Sequence, residues 1–281
     1  MSFIESRPST AGKELPYVRG KCDEDHPSTN FKNEERIVQI TDARSSKEKF
    51  TLDQYGFAWK HDTTLSAEVL EAIRSKDRDA NRVAHTYYPL VERLLLNVTG
   101  ASRIIIFDHT YRKRNPELDM KENPNGREQP ATVVHCDQSA LGARRRVERH
   151  AGKDSDRLLT GRCQLINVWR PISGIVEDWP LATMDYQTMS PTEIHPTNIY
   201  RDRHRFVGQT VSISYAPTQK WYYLKEQTPD EVTLIKIWDS KDSVAKMCAH
   251  CSFQHPGSYK AKVPRESIEV RCLVFYEDER V

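Results

Sequence analysis

Residues 131–139 read ATVVHCDQS, a short run with β-branched residues that ends in His135, Cys136 and Asp137. In an extended strand successive side chains point to opposite faces, so His135 and Asp137 project from the same one, and an imidazole and a carboxylate can converge on a single cation. A lone His-x-Asp pair arises often by chance as an ordinary surface or core pair. Its first use is therefore to fix 131–137 as a strand.

The stretches at 103–107 (RIIIF), 164–168, 210–215, 220–224, 232–238 and 267–276 repeat that strand character, with turns rich in Pro, Asp and Ser between them. Upstream the period changes. Leu65, Val69 and Ile73, then Leu90, Val91, Leu94, Leu95 and Val98 recur at steps of three and four, with Pro89 and Gly100 as punctuation, which predicts two helices. Residues 36–43 hold a β-branched run, and LDQYGF at 52–57 reads as a strand followed by a turn at Gly56. The polar stretch 111–130, with three prolines, reads as a surface loop or lid that precedes the 131–137 strand. Many short strands with helices gathered toward the amino-terminal half predict a mainly β fold, a β-sandwich with flanking helices. There is no glycine-rich phosphate loop and no internal repeat.

Composition narrows the function classes. The 281 residues suit one sizeable domain, expected over 36–281, preceded by an irregular arm over 1–35 that mixes Pro, Gly, Ser, Lys and Glu without periodicity. A formal charge of +2 supplies no field to steer the chain onto nucleic acid or an anionic membrane, and Arg144, Arg145, Arg146 and Arg149, with no aromatics between them, read as a solvated helix face. No stretch approaches the ~20 apolar residues of a membrane span, and no signal peptide is evident. The expectation is a cytoplasmic protein whose six scattered cysteines are free thiols.

The His135/Asp137 pair needs a distant third ligand. Two histidines and one carboxylate on one face of an octahedron leave three positions for a bidentate co-substrate and dioxygen, the signature of oxygen-activating iron. His250, in MCAHCSF, can supply it. Beyond it stand Arg265 and Ser267, on one face of the last strand candidate. A guanidinium forks onto a carboxylate and a hydroxyl can add a third bond, which suits the far carboxylate of 2-oxoglutarate.

The order His-x-Asp, distal His, Arg-x-Ser resembles that of iron(II)- and 2-oxoglutarate-dependent oxygenases. The stretches NVWRPI (167–172), WPLATMD (179–185), KWYYL (220–224), VTLIKIWDS (232–240) and PRESIEVR (264–271) resemble a fungal hydroxylase/desaturase family of natural-product pathways. The resemblance runs from about Ile37 onward, departs at CAHCSF where a proline before the histidine is expected, and leaves the arm unmatched. It implies a double-stranded β-helix core (jelly roll, cupin-like), with Fe(2+) held by His135, Asp137 and His250 and 2-oxoglutarate and O2 as co-substrates. The implied reaction is hydroxylation, desaturation or rearrangement of a small lipophilic metabolite of terpenoid or meroterpenoid type. A homodimer, or a heterodimer with a paralogue, is expected. The contrasting possibility is a catalytically silent subunit that stabilises an active paralogue.

Several residues compete for these roles. Cys248 and Cys251 form a CxxC, but no second such pair exists to build a zinc site, so packed thiols are expected. His195 and His204 are rivals to His250, whereas His255 belongs to a turn. Arg271 shares the parity of Arg265 and is a second candidate for the keto acid. Asn167, Trp169 and Arg170 are candidate substrate-lining residues or ordinary core.

Overall fold

A computed structural model of the chain describes residues 1–6, 14–20, 27–75, 80–119, 123, 129–201, 205–258 and 263–280. Within them the chain begins with β1 (Ser2–Ile4), β2 (Tyr17–Arg19), β3 (Asn33–Glu35), β4 (Ile40–Asp42) and β5 (Phe57–His61). It continues with β6 (Arg103–Lys113), β7 (His135–Cys136), β8 (Gly161–Pro171), β9 (Leu181–Met184) and β10 (Ile194–Tyr200). The last strands are β11 (Phe206–Ile213), β12 (Trp221–Tyr223), β13 (Glu231–Asp239), β14 (His250–Ser252) and β15 (Glu266–Arg280). The described helices include α1 (Leu52–Tyr55), α2 (Ala67–Arg74), α3 (Ala80–Thr86), α4 (Tyr88–Thr99) and α5 (Ala140–Ala151).

Among the described residues, five strands pair in the order β5-β13-β8-β15-β6 and eight in the order β2-β10-β11-β7-β14-β9-β12-β4. From β6 to β9, and again from β12 to β15, consecutive strands alternate between these two sheets, which is the winding of a jelly roll. Period-2 alternation in the five-stranded sheet builds two cores at once. Leu165, Ile235, Leu273 and Phe275 point inward and pack with Cys136, Met184, Val211 and Trp221 of the other sheet. Ile166, Val168, Leu234, Val270 and Cys272 point outward and are covered by Val69, Tyr87, Val91 and Leu95 of α2–α4. The expected mainly β fold with flanking helices is thus observed, and the long strands are buried on both faces because each face has its own cover.

Some expectations are corrected. LDQY at 52–55 is a helical turn rather than a strand: Thr51 caps it by accepting from the Gln54 N–H, and Gly56 ends it at φ 86° before β5 starts. The described residues of the helical stretch hold three helices, with Ser66 capping α2, and with Pro89 in the first turn of α4 and Gly100 at its end. Residues 111–113, expected in the loop, are the last rungs of β6, and Gln129 ties the turn that follows by donating from Nε2 to the carbonyls of Asn115 and Leu118. The rest of that loop lies partly outside the described residues, as do Cys22 and His204. The arm is less irregular than its composition suggests. β1 pairs with β3, Phe3 and Ile4 are buried, and β2 adds to the edge of the eight-stranded sheet. The five described cysteines are free and buried.

Candidate metal and keto acid site

Two strands of the eight-stranded sheet place the histidines. His135 on β7 is the direct register partner of His250 on β14, and their rings lie 4.6 Å apart. Each ring is oriented from behind. Nδ1 of His135 donates to the Val133 carbonyl at 2.8 Å and Nδ1 of His250 to the Cys248 carbonyl at 3.1 Å. In a neutral ring that leaves the Nε2 lone pair directed into the site. Asp137, just past β7, brings Oδ1 to 3.2 Å from Nε2 of His135 and 3.8 Å from Nε2 of His250. The donor atoms of the three residues all lie within 4.8 Å of one another.

The electrostatics describe a site built around a positive charge. Burial favours a neutral Asp137, yet the Arg271 guanidinium and His135 outweigh it and hold the carboxyl well below its usual range. Burial likewise opposes a charge on His135, but Asp137 raises it. Burial and the neighbouring His135 push His250 down to about 4. Three acceptors aimed at one point repel unless a proton or a cation sits among them. The donor set of two imidazoles and a carboxylate fits a divalent transition metal.

The facing sheet supplies the rest. Arg265 is buried and lines the same cavity as His135, Asp137 and His250, together with Ser267 and Trp169. Its Nη1 donates to the Trp179 carbonyl at 2.6 Å and to Ser252 Oγ at 2.7 Å, and the guanidinium stands 5.6 Å from the centre of the Trp169 ring. No carboxylate among the described residues forms an ion pair with it, and burial pulls its pKa down to about 10. The nearby Asp178 and Glu269 carboxyls only partly offset that burial, and a buried cation with no ion-pair partner is costly, so this one fits an anionic ligand.

Arg271 does not share that availability. Its Nε donates to Asp137 Oδ2, Nη1 to Thr110 Oγ1 and Asp108 Oδ2, and Nη2 to Glu269 Oε1. Each of its three nitrogens thus donates to an acceptor within the protein. Asn167 and Trp169 point inward, the first donating to Asp137 Oδ2. Arg170 is corrected: it points to the outer face of the sheet, where it pairs with Asp62 and donates to the Pro229 carbonyl beneath the helices. His195, on β10, pairs with Ser214 Oγ just past β11, and His255 Nδ1 accepts from the Gly257 N–H, so neither joins the cluster. Among the arginines of α5, 144, 145 and 149 are exposed, while Arg146 leans over Phe107. Reading the residues singly did not find Ser252, Glu269 or Thr110. Ser252 and Glu269 share strand parity with His250 and with Ser267 and Arg271, a signal already present in the sequence.

A jelly roll holding two imidazoles and one carboxylate at its mouth, with a buried guanidinium that has no ion-pair partner among the described residues beside them, defines the class of iron(II)- and 2-oxoglutarate-dependent oxygenases. Comparison with known proteins agrees. A family model described as YDMC, an oxidoreductase/YMDC permease-like domain, matches residues 1–275. The chain is 36% identical over 275 residues to the Fe(II)/2-oxoglutarate-dependent dioxygenase nvfI of Aspergillus novofumigatus (strain IBT 16806), covering 98% of this chain and 95% of that protein. It is 58% identical over 143 residues to aspirochlorine biosynthesis protein N of Aspergillus oryzae (strain ATCC 42149 / RIB 40), a match spanning 50% of this chain and 60% of that relative's length. The solved structure of the iron and alpha-ketoglutarate-dependent endoperoxidase NvfI superposes with a TM-score of 0.88 at 35% identity, covering 98% of this chain and 96% of the other. The chain belongs to the family of fungal Fe(II)/2-oxoglutarate-dependent dioxygenases and hydroxylase/desaturases of secondary metabolism. Its cofactor is iron(II), and its co-substrates are 2-oxoglutarate and dioxygen. No helix among the described residues is long and apolar enough to cross a membrane.

Proposed function

We propose that His135, His250 and Asp137 hold the iron, the aspartate through Oδ1, and that Arg265 and Ser267 receive the far carboxylate of 2-oxoglutarate. The observation that carries this is the meeting of three donor atoms within 4.8 Å in a cavity that also holds the Arg265 guanidinium. When bound, the iron couples decarboxylation of 2-oxoglutarate to the oxidation of an unactivated carbon. The chain's own part is to orient and to exclude water. The Val133 and Cys248 carbonyls fix the imidazoles. Ser252 and the Trp179 carbonyl fix Arg265, while Trp169 and Leu181 supply apolar wall to the cavity. The side chain of His135 is 26% exposed against 4% for His250, so the centre opens on the His135 side.

The substrate in this reading is a small lipophilic fungal metabolite of terpenoid or meroterpenoid type, oxidised by hydroxylation, desaturation or rearrangement. The protein works in the cytoplasm as a dimer, of itself or with a paralogue, and comprises an amino-terminal segment over 1–35 and an oxygenase domain over 36–281. The silent-subunit alternative gains no support from a complete donor set. Anaerobic addition of iron(II) and 2-oxoglutarate is expected to produce the weak visible charge-transfer band of the chelate. His135→Ala and Asp137→Ala are expected to abolish both the band and succinate formation while the circular dichroism stays unchanged. Turnover that persists in both variants would place the metal elsewhere. Light scattering that returns a monomer at every concentration, alone and with a co-expressed paralogue, would remove the dimer.

A further inference from the structure

Asn167 and Arg271 face each other across β8 and β15 as direct register partners. Both point inward and both end on one atom: Nδ2 of Asn167 lies 2.8 Å and Nε of Arg271 3.0 Å from Oδ2 of Asp137. A carboxylate oxygen accepts through two lone pairs, and two N–H donors occupy both. Oδ1 is the oxygen turned toward the imidazoles. Arg271 is itself immobilised by Thr110, Asp108 and Glu269, and Asn167 is fully buried, so neither donor is free to swing away.

We infer that Asn167 and Arg271 are positioning residues that confine Asp137 to a single donor oxygen toward the cation. The inference rests on the proposed reading of His135, Asp137 and His250 as ligands. Its consequence is a matter of counting. Two imidazoles and one carboxylate oxygen leave three positions on an octahedral ion. A carboxylate that turned both oxygens inward would leave two, and a chelating keto acid would fill them, leaving none for dioxygen.

The test counts those positions directly. Water-proton relaxation of the Mn2+-loaded protein reports exchangeable waters on the ion, and Asn167→Ala and Arg271→Lys, singly and combined, are expected to carry fewer than the parent. With 2-oxoglutarate added, the parent should keep one water and the combined variant none. Mn2+ affinity should hold near the parent value, whereas oxygen-dependent turnover should fall about tenfold or more, the range seen when an outer partner of a metal ligand is removed. Circular dichroism checks folding, and if the combined variant does not fold, Asn167→Ala alone decides. Unchanged water counts in the folded variants would overturn the inference, and so would a loss of Mn2+ affinity as deep as that of Asp137→Ala. If Asp137→Ala itself bound Mn2+ like the parent, the ligand assignment would have failed, an outcome visible in the metal titration before any water is counted.

Discussion

Arg265 and Arg271 carry the same group on the same side of the last part of the chain, and only their neighbours separate their duties. Arg271 meets two carboxylates, a hydroxyl and the Asp137 oxygen, while Arg265 meets a carbonyl, a hydroxyl and an indole face. Parity alone does not make that distinction, because both residues occupy odd positions on one strand path. It depends on Asp137 reaching across from the other sheet. Arg170 is the opposite case: it was expected beside Asn167 and Trp169, but those two take the inward parity of β8, so their even-numbered neighbour points outward. Arg265→Lys is expected to raise the 2-oxoglutarate KM about tenfold with a smaller change in kcat, since lysine keeps the charge but loses the planar fork worth about 1.5 kcal/mol per charge-assisted bond. Steady-state kinetics with 2-oxoglutarate as the varied substrate check this. An unchanged KM would move the anchor to another residue.

At the scale of elements, strands inside an apolar or β-branched run were legible, down to the three residues of β12 within the expected 220–224, and a short strand without such a run was not. The expected strand at 232–238 is β13, and 267–276 is the amino-terminal two thirds of a longer β15. β14 is only three residues long, carries no β-branched run, and is a strand because His250 finds partners on both sides, His135 and Thr183. No local signal announces that. The start of β13 shows an electrostatic fastening that likewise depends on remote residues. Glu231 is buried and pairs with Arg44 and Lys47 from the turn after β4. Burial alone would raise its pKa, but those two cations and the Thr228 N–H outweigh it and bring it down to about 2 from an ordinary 4.5. A carboxyl with a depressed folded pKa adds stability that is complete above its unfolded value and disappears as the pH falls through the folded one. Glu231→Gln is therefore expected to cost about 1–3 kcal/mol near neutral pH, with the gap to the parent closing between about pH 4.5 and 2. Urea titrations across that window measure it, and a gap that stays constant with pH would show that Glu231 acts by shape rather than charge.

For the molecule as a whole, the site is a seam. The eight-stranded sheet supplies His135 and His250, while Asn167 and Arg271 come from the five-stranded sheet, Arg265 stands at its margin, and Asp137 touches both sides. The chain order of strand candidates suggested two sheets, and the His-x-Asp, His, Arg-x-Ser order suggested one centre. Which sheet held which residue was not legible, because it follows from alternation between sheets over long sequence separations. A cation and a keto acid bound at this seam add contacts that exist only when both sheets are in place, so their binding free energy becomes folding stability. At a hundredfold excess over its Kd a ligand contributes about 2.7 kcal/mol. With about 2–4 °C per kcal/mol for a domain of this size, that raises Tm by roughly 5–10 °C. Protein stripped by a chelator and then reloaded with Mn2+ and 2-oxoglutarate should recover that difference in a thermal scan. Asp137→Ala should recover almost none of it, since the carboxylate that bonds to Asn167 and Arg271 of the five-stranded sheet and faces the two imidazoles has lost its donor. An equal gain in that variant would mean that the stabilising ligand binds away from the seam, and the connection drawn between the sandwich and its metal would have to be given up.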